Sequence, residues 1–296
     1  SDPNDRFDFS NLSLSGLERV EVYKGNYSNI YSPSSIGGLV LLYSRQEAKD
    51  QKISLARGSD NLFRFKSFNS FTKENWNTWL SLDHFSSDGI SVKGDRDSGY
   101  EKDPFRKQQV FARTNYRFNE VTSLSFLFRH FVNQAETDSS DGDDQYDFVD
   151  YDSDLYHLVF QKNRFRVGTG VYQSDRESLF SARKYTVATD KTYAFIDQKL
   201  RFTETADISY RFELDAAQIK ISSLSEDKKQ SHQAFSFLYE QDLNNSLFVS
   251  FAPRVDHYED VDTNYTAAFL FGKKHSFWEV GIGLRRAAKA PSLYNL

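Results

Sequence analysis

The feature that most constrains this chain is a two-residue hydrophobic period that recurs along most of its length. Ala206, Ile208, Tyr210, Phe212 and Leu214 are apolar, while Asp207, Ser209, Arg211 and Glu213 between them are polar. The same pattern runs through Val110–Phe118, Leu247–Val255 and Trp278–Leu284. A period of two sends alternate side chains to opposite faces of an extended strand, which predicts half-buried antiparallel strands of about ten residues. A tilted strand needs about the same length to cross the hydrocarbon core of a bilayer.

Composition fits such a sheet. The chain holds 27 Phe and 17 Tyr, with aromatics at 16% and charged residues at 27%. Its mean hydropathy is -0.64. No run approaches the roughly 18 apolar residues of a transmembrane helix. A membrane β-barrel shows lipid only every second residue, so its average hydropathy resembles that of a water-soluble protein. The net charge of -5, with both signs interspersed, gives no case for nucleic acid as a partner. Cysteine is absent, which removes disulfides, thiolate nucleophiles and thiolate metal sites.

Turn chemistry organises the strands. Tight turns are predicted at Asn119-Glu120, Lys162-Asn163, Asp215–Ala217, Asn244-Asn245 and Lys273-Lys274. Longer polar segments are predicted at Ser87–Arg106, Glu136–Tyr151, Asp175–Thr203, Glu226–Ser231 and Tyr258–Asp262. Short and long connections alternate over about a dozen strands. Greek-key crossovers would interrupt that order in a soluble sandwich, whereas outer-membrane barrels place short turns at one end and long loops at the other. Residues 51–296 are therefore read as barrel wall. Residues 1–50, punctuated by Gly16, Gly25, Gly37 and Gly38, read as the end of a separate small domain.

Two motifs bracket this pattern. The first is Leu17-Glu18-Arg19-Val20-Glu21-Val22-Tyr23-Lys24-Gly25, followed by Ile30-Tyr31-Ser32 and Ser35-Ile36-Gly37-Gly38-Leu39-Val40. It resembles the end of the plug domain in TonB-dependent outer-membrane receptors. Asn26 stands where that family usually has Pro, and Leu41 where Asn is common. The second is Lys289-Ala290-Pro291-Ser292-Leu293-Tyr294-Asn295-Leu296, similar to a segment inside the barrel half of the same family. Within the family, the compact spacing and the Lys-Ala-Pro variant look most like the cobalamin-type receptors.

The resemblance implies an all-β fold: the C-terminal part of a plug, then about the first dozen strands of a 22-stranded transmembrane antiparallel β-barrel. It also implies TonB-dependent uptake of cobalamin or a ferric siderophore across the outer membrane of a Gram-negative bacterium, with outer-membrane lipid around the barrel. TonB would act through a box upstream of Ser1, and about ten strands would follow Leu296. A passive porin-type channel and a surface recognition barrel are the competing readings.

The resemblance nominates Glu18, Arg19, Glu21, Lys24, Gly25, Gly37 and Gly38 as plug-motif residues, with the charged ones contacting the barrel. It nominates Lys289, Ala290, Pro291 and Leu293 as the barrel motif. Separately, Asp138, Asp141, Asp143, Asp144, Asp147 and Asp150 crowd one polar segment. Several carboxylates on a loop can supply the six to eight oxygens that Ca²⁺ takes, although the spacing is not that of an EF-hand and a solvated loop tip has the same composition. His130 continues the apolar row of Leu124, Phe126 and Phe128, which predicts packing. Trp76, Trp79 and Trp278 are candidates for interfacial girdles. No G-x-S-x-G, P-loop, H-E-x-x-H or dinucleotide fingerprint is present, so the chain does not read as an enzyme.

Overall fold

The computed structural model describes residues 17–24, 38–44, 51–90, 102–137, 147–180, 183–223, 226–243, 246–259, 261–286 and 288. Strands β1 (Leu17–Lys24) and β2 (Gly38–Ser44) form an antiparallel hairpin with its own two-stranded sheet. The next strands are β3 (Gln51–Arg57), β4 (Phe63–Lys73), β5 (Trp76–Ser87), β6 (Phe105–Asn119), β7 (Thr122–Glu136) and β8 (Phe148–Lys162). They are followed by β9 (Phe165–Phe180), β10 (Arg183–Arg201), β11 (Ala206–Ile221) and β12 (Lys228–Asp242). The last are β13 (Leu247–Tyr258), β14 (Val261–Lys274) and β15 (Glu279–Arg286). Strands β3 to β15 form one 13-stranded antiparallel meander in sequence order. No pairing joins β3 to β15 among the described residues, so the sheet is an open arc, and both edge strands run toward the same end.

Cross-strand register sorts the side chains into two faces. One carries Phe71, Leu80, Phe126, Leu158, Val167, Ile196, Phe212, Phe235, Phe251, Phe269 and Ile282, all exposed. The other carries Trp79, Phe111, Phe131, Phe195, Ile219, Ala234 and Phe248, all buried, among polar and charged neighbours. Curling a sheet crowds the side chains of its concave face and spreads those of its convex face. The exposed apolar face is thus the outside.

Glycine makes one close packing arrangement possible on the inside. Gly168 and Gly170 lie directly opposite Phe195 and Tyr193. A Cβ at either position would run into the facing ring. The rings occupy the space where a Cβ would stand, an arrangement that restores side-chain cover to a glycine in a sheet.

Several predicted connections differ from those observed. Asp215–Ala217 is no turn: it lies within β11, with Asp215 opposite His232. Asp175–Thr203 is no loop, because it contains the end of β9 and all of β10. Polar inward residues resemble turn chemistry when no partner is visible. Strand lengths reach 15 to 19 residues in β6 to β12, beyond the predicted ten or so. The hydrogen-bonded ladder continues where the apolar alternation stops.

The alternation of short and long connections is also incomplete. One end holds the segments 74–75, 120–121, 163–164, 202–205, 243–246 and 275–278. The other holds the longest connections, 88–104 and 137–147, together with the shorter ones 58–62, 181–182, 222–227 and 259–260. Glu74 and Asn163 adopt positive φ in two tight turns at the first end, a conformation that asparagine tolerates better than most residues. The predicted turn at Asn244-Asn245 falls outside the described residues.

Candidate functional site

The outer face is built first by the sequence. On β11 the outward positions are Ile208, Tyr210, Phe212 and Leu214, and the row turns polar at Gln218. On β8 it runs Phe160, Leu158, Tyr156 and then Asp154, and on β9 Val167, Thr169, Val171 and then Gln173. Strand after strand, about four outward positions are apolar before the switch. This is an apolar band of the height expected of a lipid-facing belt. Trp76 stands on this face at the short-turn end of β5, 4.7 Å from the Tyr116 ring, and Tyr116 meets Phe118 edge-on at 4.8 Å. Trp278 stacks on His275 in the turn before β15. Trp79, the third girdle candidate, points inward instead, with the Arg113 guanidinium 5.4 Å from its ring.

The inner face carries a continuous chain of ion pairs from β9 to β13. Arg166 grips Asp197 through two hydrogen bonds of 2.8 and 2.9 Å. Arg211 binds Asp197 at 3.0 Å and Glu213 at 2.7 Å. Arg254 Nη1 lies 2.7 Å from Glu213, angled as an ion pair and not as an aligned hydrogen bond. Arg254 also donates to Asp256, two residues along β13 on the same face, at 2.7 and 3.0 Å. Asp256 accepts from His232 Nε2 at 2.9 Å, Asp215 accepts from its Nδ1 at 2.6 Å, and Lys191 closes the chain on Asp215 at 3.0 Å. Both ring nitrogens of His232 face carboxylates, so both contacts are satisfied only by a ring protonated on both. Tyr258 stacks on that ring at 4.4 Å.

Burial makes this network consequential. The side chains of Arg254 and Asp256 are 1% and 0% exposed. Removing one member of such a pair leaves an uncompensated buried charge, whereas removing both leaves only a packing problem. Its charges hold one another, which suits a rigid wall better than chemical turnover.

The hairpin touches this wall. Arg113, inward on β6, donates a 2.7 Å hydrogen bond to the hydroxyl of Ser44 at the end of β2. Of the charged plug-motif residues, Arg19 and Glu21 pair with each other at 2.7 Å, Tyr23 donates to Glu21 at 2.8 Å, and Arg19 lies 3.6 Å over the Tyr43 ring. These are bonds within the hairpin, not to the barrel. Glu18 and Lys24 are on β1, and Gly38 begins β2. Gly25, Gly37, Lys289, Ala290, Pro291 and Leu293 lie outside the described residues. The Arg113–Ser44 contact carries no motif and was not foreseen.

Of the acidic candidates, Asp138, Asp141, Asp143 and Asp144 also lie outside the described residues. Asp147 is fully buried, and its carbonyl accepts from the Thr137 amide at the base of the loop. Asp150 sits on β8 directly opposite Glu177. The structure brings Asp152 and Asp154 to His130, which therefore does more than pack.

An antiparallel wall with an apolar outer belt, a charged inner face and a hairpin bonded to its inside, here as an open arc, is similar in fold to the barrels of TonB-dependent receptors. The comparisons agree. By structure the chain is similar to the FrpB iron transporter of Neisseria meningitidis, with a TM-score of 0.80 at 12% identity, covering 95% of this chain and 53% of that one. It is also similar to the siderophore receptor PiuA of Acinetobacter baumannii, with a TM-score of 0.74 at 10% identity, covering 95% and 56%. By sequence it is similar to the vitamin B12 transporter BtuB of Vibrio cholerae, 21% identical over 211 residues, 68% of this chain and 31% of that transporter. No protein-family profile matches it. The chain thus spans about a third of its sequence relative and about half of these structures. These relatives are transporters and receptors, not enzymes.

Proposed function

We propose that this chain is the plug exit and first barrel wall of an outer-membrane receptor that imports a scarce metal chelate, cobalamin or a ferric siderophore, by TonB-dependent transport. The observation that carries the reading is the Leu17–Ser44 hairpin held to the inner wall through Arg113 and Ser44. A passive channel needs an open lumen, and a hairpin bonded inside the wall works against one. Similarity to a vitamin B12 transporter, an iron transporter and a siderophore receptor supports the cargo class, because cobalamin and ferric siderophores are both bulky metal chelates.

The test is uptake in the producing organism. Deletion of the gene should abolish accumulation of radiolabelled cyanocobalamin or of a ferric siderophore, and loss of TonB should abolish the same uptake. Unchanged accumulation of both cargo types after deletion would exclude the import reading. A residual flux independent of TonB would point to the passive channel.

A further inference from the structure

Beyond the belt, the outer face becomes acidic in a way that ordinary strand pairing does not explain. His130 of β7 lies opposite Asp154 of β8, which lies opposite Gln173 of β9. In the next outward row Asp152 lies directly opposite Asp175, and in the row after that Asp150 lies opposite Glu177. Like charges directly across an antiparallel ladder destabilise it. Two such pairs in succession impose a cost that the sheet must offset.

The offset is small. Lys184 reaches Glu177 at 2.6 Å. For Asp152 and Asp154, the nitrogen partner among the described residues is one imidazole: His130 Nδ1 lies 3.0 Å from Asp154 and 3.7 Å from Asp152. Beside Asp152 opens a cavity of about 600 Å³ whose charged lining is Asp150, Asp152, Asp175 and Glu177 with Arg176, Lys220 and Asp227.

We propose that His130, Asp152 and Asp154 bind a divalent first-row transition-metal ion, which joins β7 to β8 at the outer margin of the belt. The three ligand atoms lie within 4.8 Å of one another. Metal–ligand bonds of about 2.0–2.2 Å place adjacent ligand atoms about 3.0–3.5 Å apart, so the observed spacings need only side-chain adjustment. An imidazole nitrogen with two carboxylates suits Zn²⁺ and its neighbours, whereas Ca²⁺ takes six to eight oxygens. All three side chains are partly solvent-accessible, which leaves room for water in the remaining coordination positions. Binding would place a positive charge between the opposed carboxylates and relieve their repulsion. The site is independent of the cargo and of TonB.

The experiment is calorimetric titration of Zn²⁺ into chelator-treated protein in detergent, with Co²⁺ absorption in the visible as a readout of nitrogen and oxygen coordination. One Zn²⁺ should bind per chain and resist tenfold excess Ca²⁺. His130→Gln and Asp154→Asn should each weaken binding at least tenfold and abolish the Co²⁺ band. His84→Gln, an outward histidine on β5, should leave both unchanged. Both His130→Gln and His84→Gln keep a hydrogen-bonding side chain on an accessible face, and an unchanged unfolding midpoint in metal-free buffer shows that the fold is intact. Equal Zn²⁺ affinity in His130→Gln and the parent, or displacement of Zn²⁺ by Ca²⁺ at equal concentration, would overturn the proposal.

Discussion

The two faces of β11 obey opposite rules. Outward, Phe212 and Leu214 are exposed beside half-buried Ile208 and Tyr210, and inward, Arg211, Glu213 and Asp215 are half-buried and ion-paired. A soluble sheet does the reverse: its apolar face is covered and its charged face is wet. The difference identifies the solvent on each side. The outer face suits a medium that does not hydrogen-bond, and the inner face supplies partners for its own charges. Stability is therefore partitioned: the outer face contributes through the environment it meets, the inner face through the partners it holds.

That partition can be broken most forcefully on the inside. Asp256→Ala leaves Arg254 and His232 buried without their shared carboxylate, and should cost about 3–5 kcal/mol in reversible unfolding in detergent or vesicles. An Arg254→Met, Asp256→Leu double variant should recover much of that loss, since it removes both charges. If the single and double variants lose the same stability, the pairing account of the inner wall fails.

The outer face gives the next largest effect, and it should depend on depth. Phe212→Arg, in the belt, should cost about 2–4 kcal/mol in a bilayer, while Gln218→Arg, above the belt on the same strand, should cost about 0–1 kcal/mol. Equal costs at the two positions would mean that the belt does not face lipid. Gly170→Val should cost about 1–3 kcal/mol, because the new side chain displaces the Tyr193 ring. Smallest of all, Lys184→Ala removes an exposed ion pair with Glu177 and should shift stability by about 0.2–1 kcal/mol.

The sequence was most legible where one solvent imposed one rule. Every lipid-facing position must be apolar at a period of two, so the belt stretches of β6, β11, β13 and β15 could be read directly. Above the belt that rule lapses. Asp175, Glu177 and Asp190 face outward on strands that are still paired, and their polarity made part of β9 and all of β10 look like loop. The inner wall was silent for another reason. A pair such as His232 and Asp215 is 17 residues apart in sequence, and only the register makes them neighbours. Arg254 and Asp256 were closer to readable, since residues two apart on a strand share a face. The β1–β2 hairpin was found through family motifs, but its contact with the wall through Ser44 left no trace in them.

The two edges of the arc carry a constraint of their own. Because the sheet has thirteen strands, β3 and β15 run in the same direction. A second copy with the same membrane orientation would meet each edge in parallel, breaking the antiparallel order of bacterial barrels. Closure with antiparallel ladders throughout requires an odd number of further strands between the two edges. Strand parity alone thus sets which partners could pair with both described edges in antiparallel order.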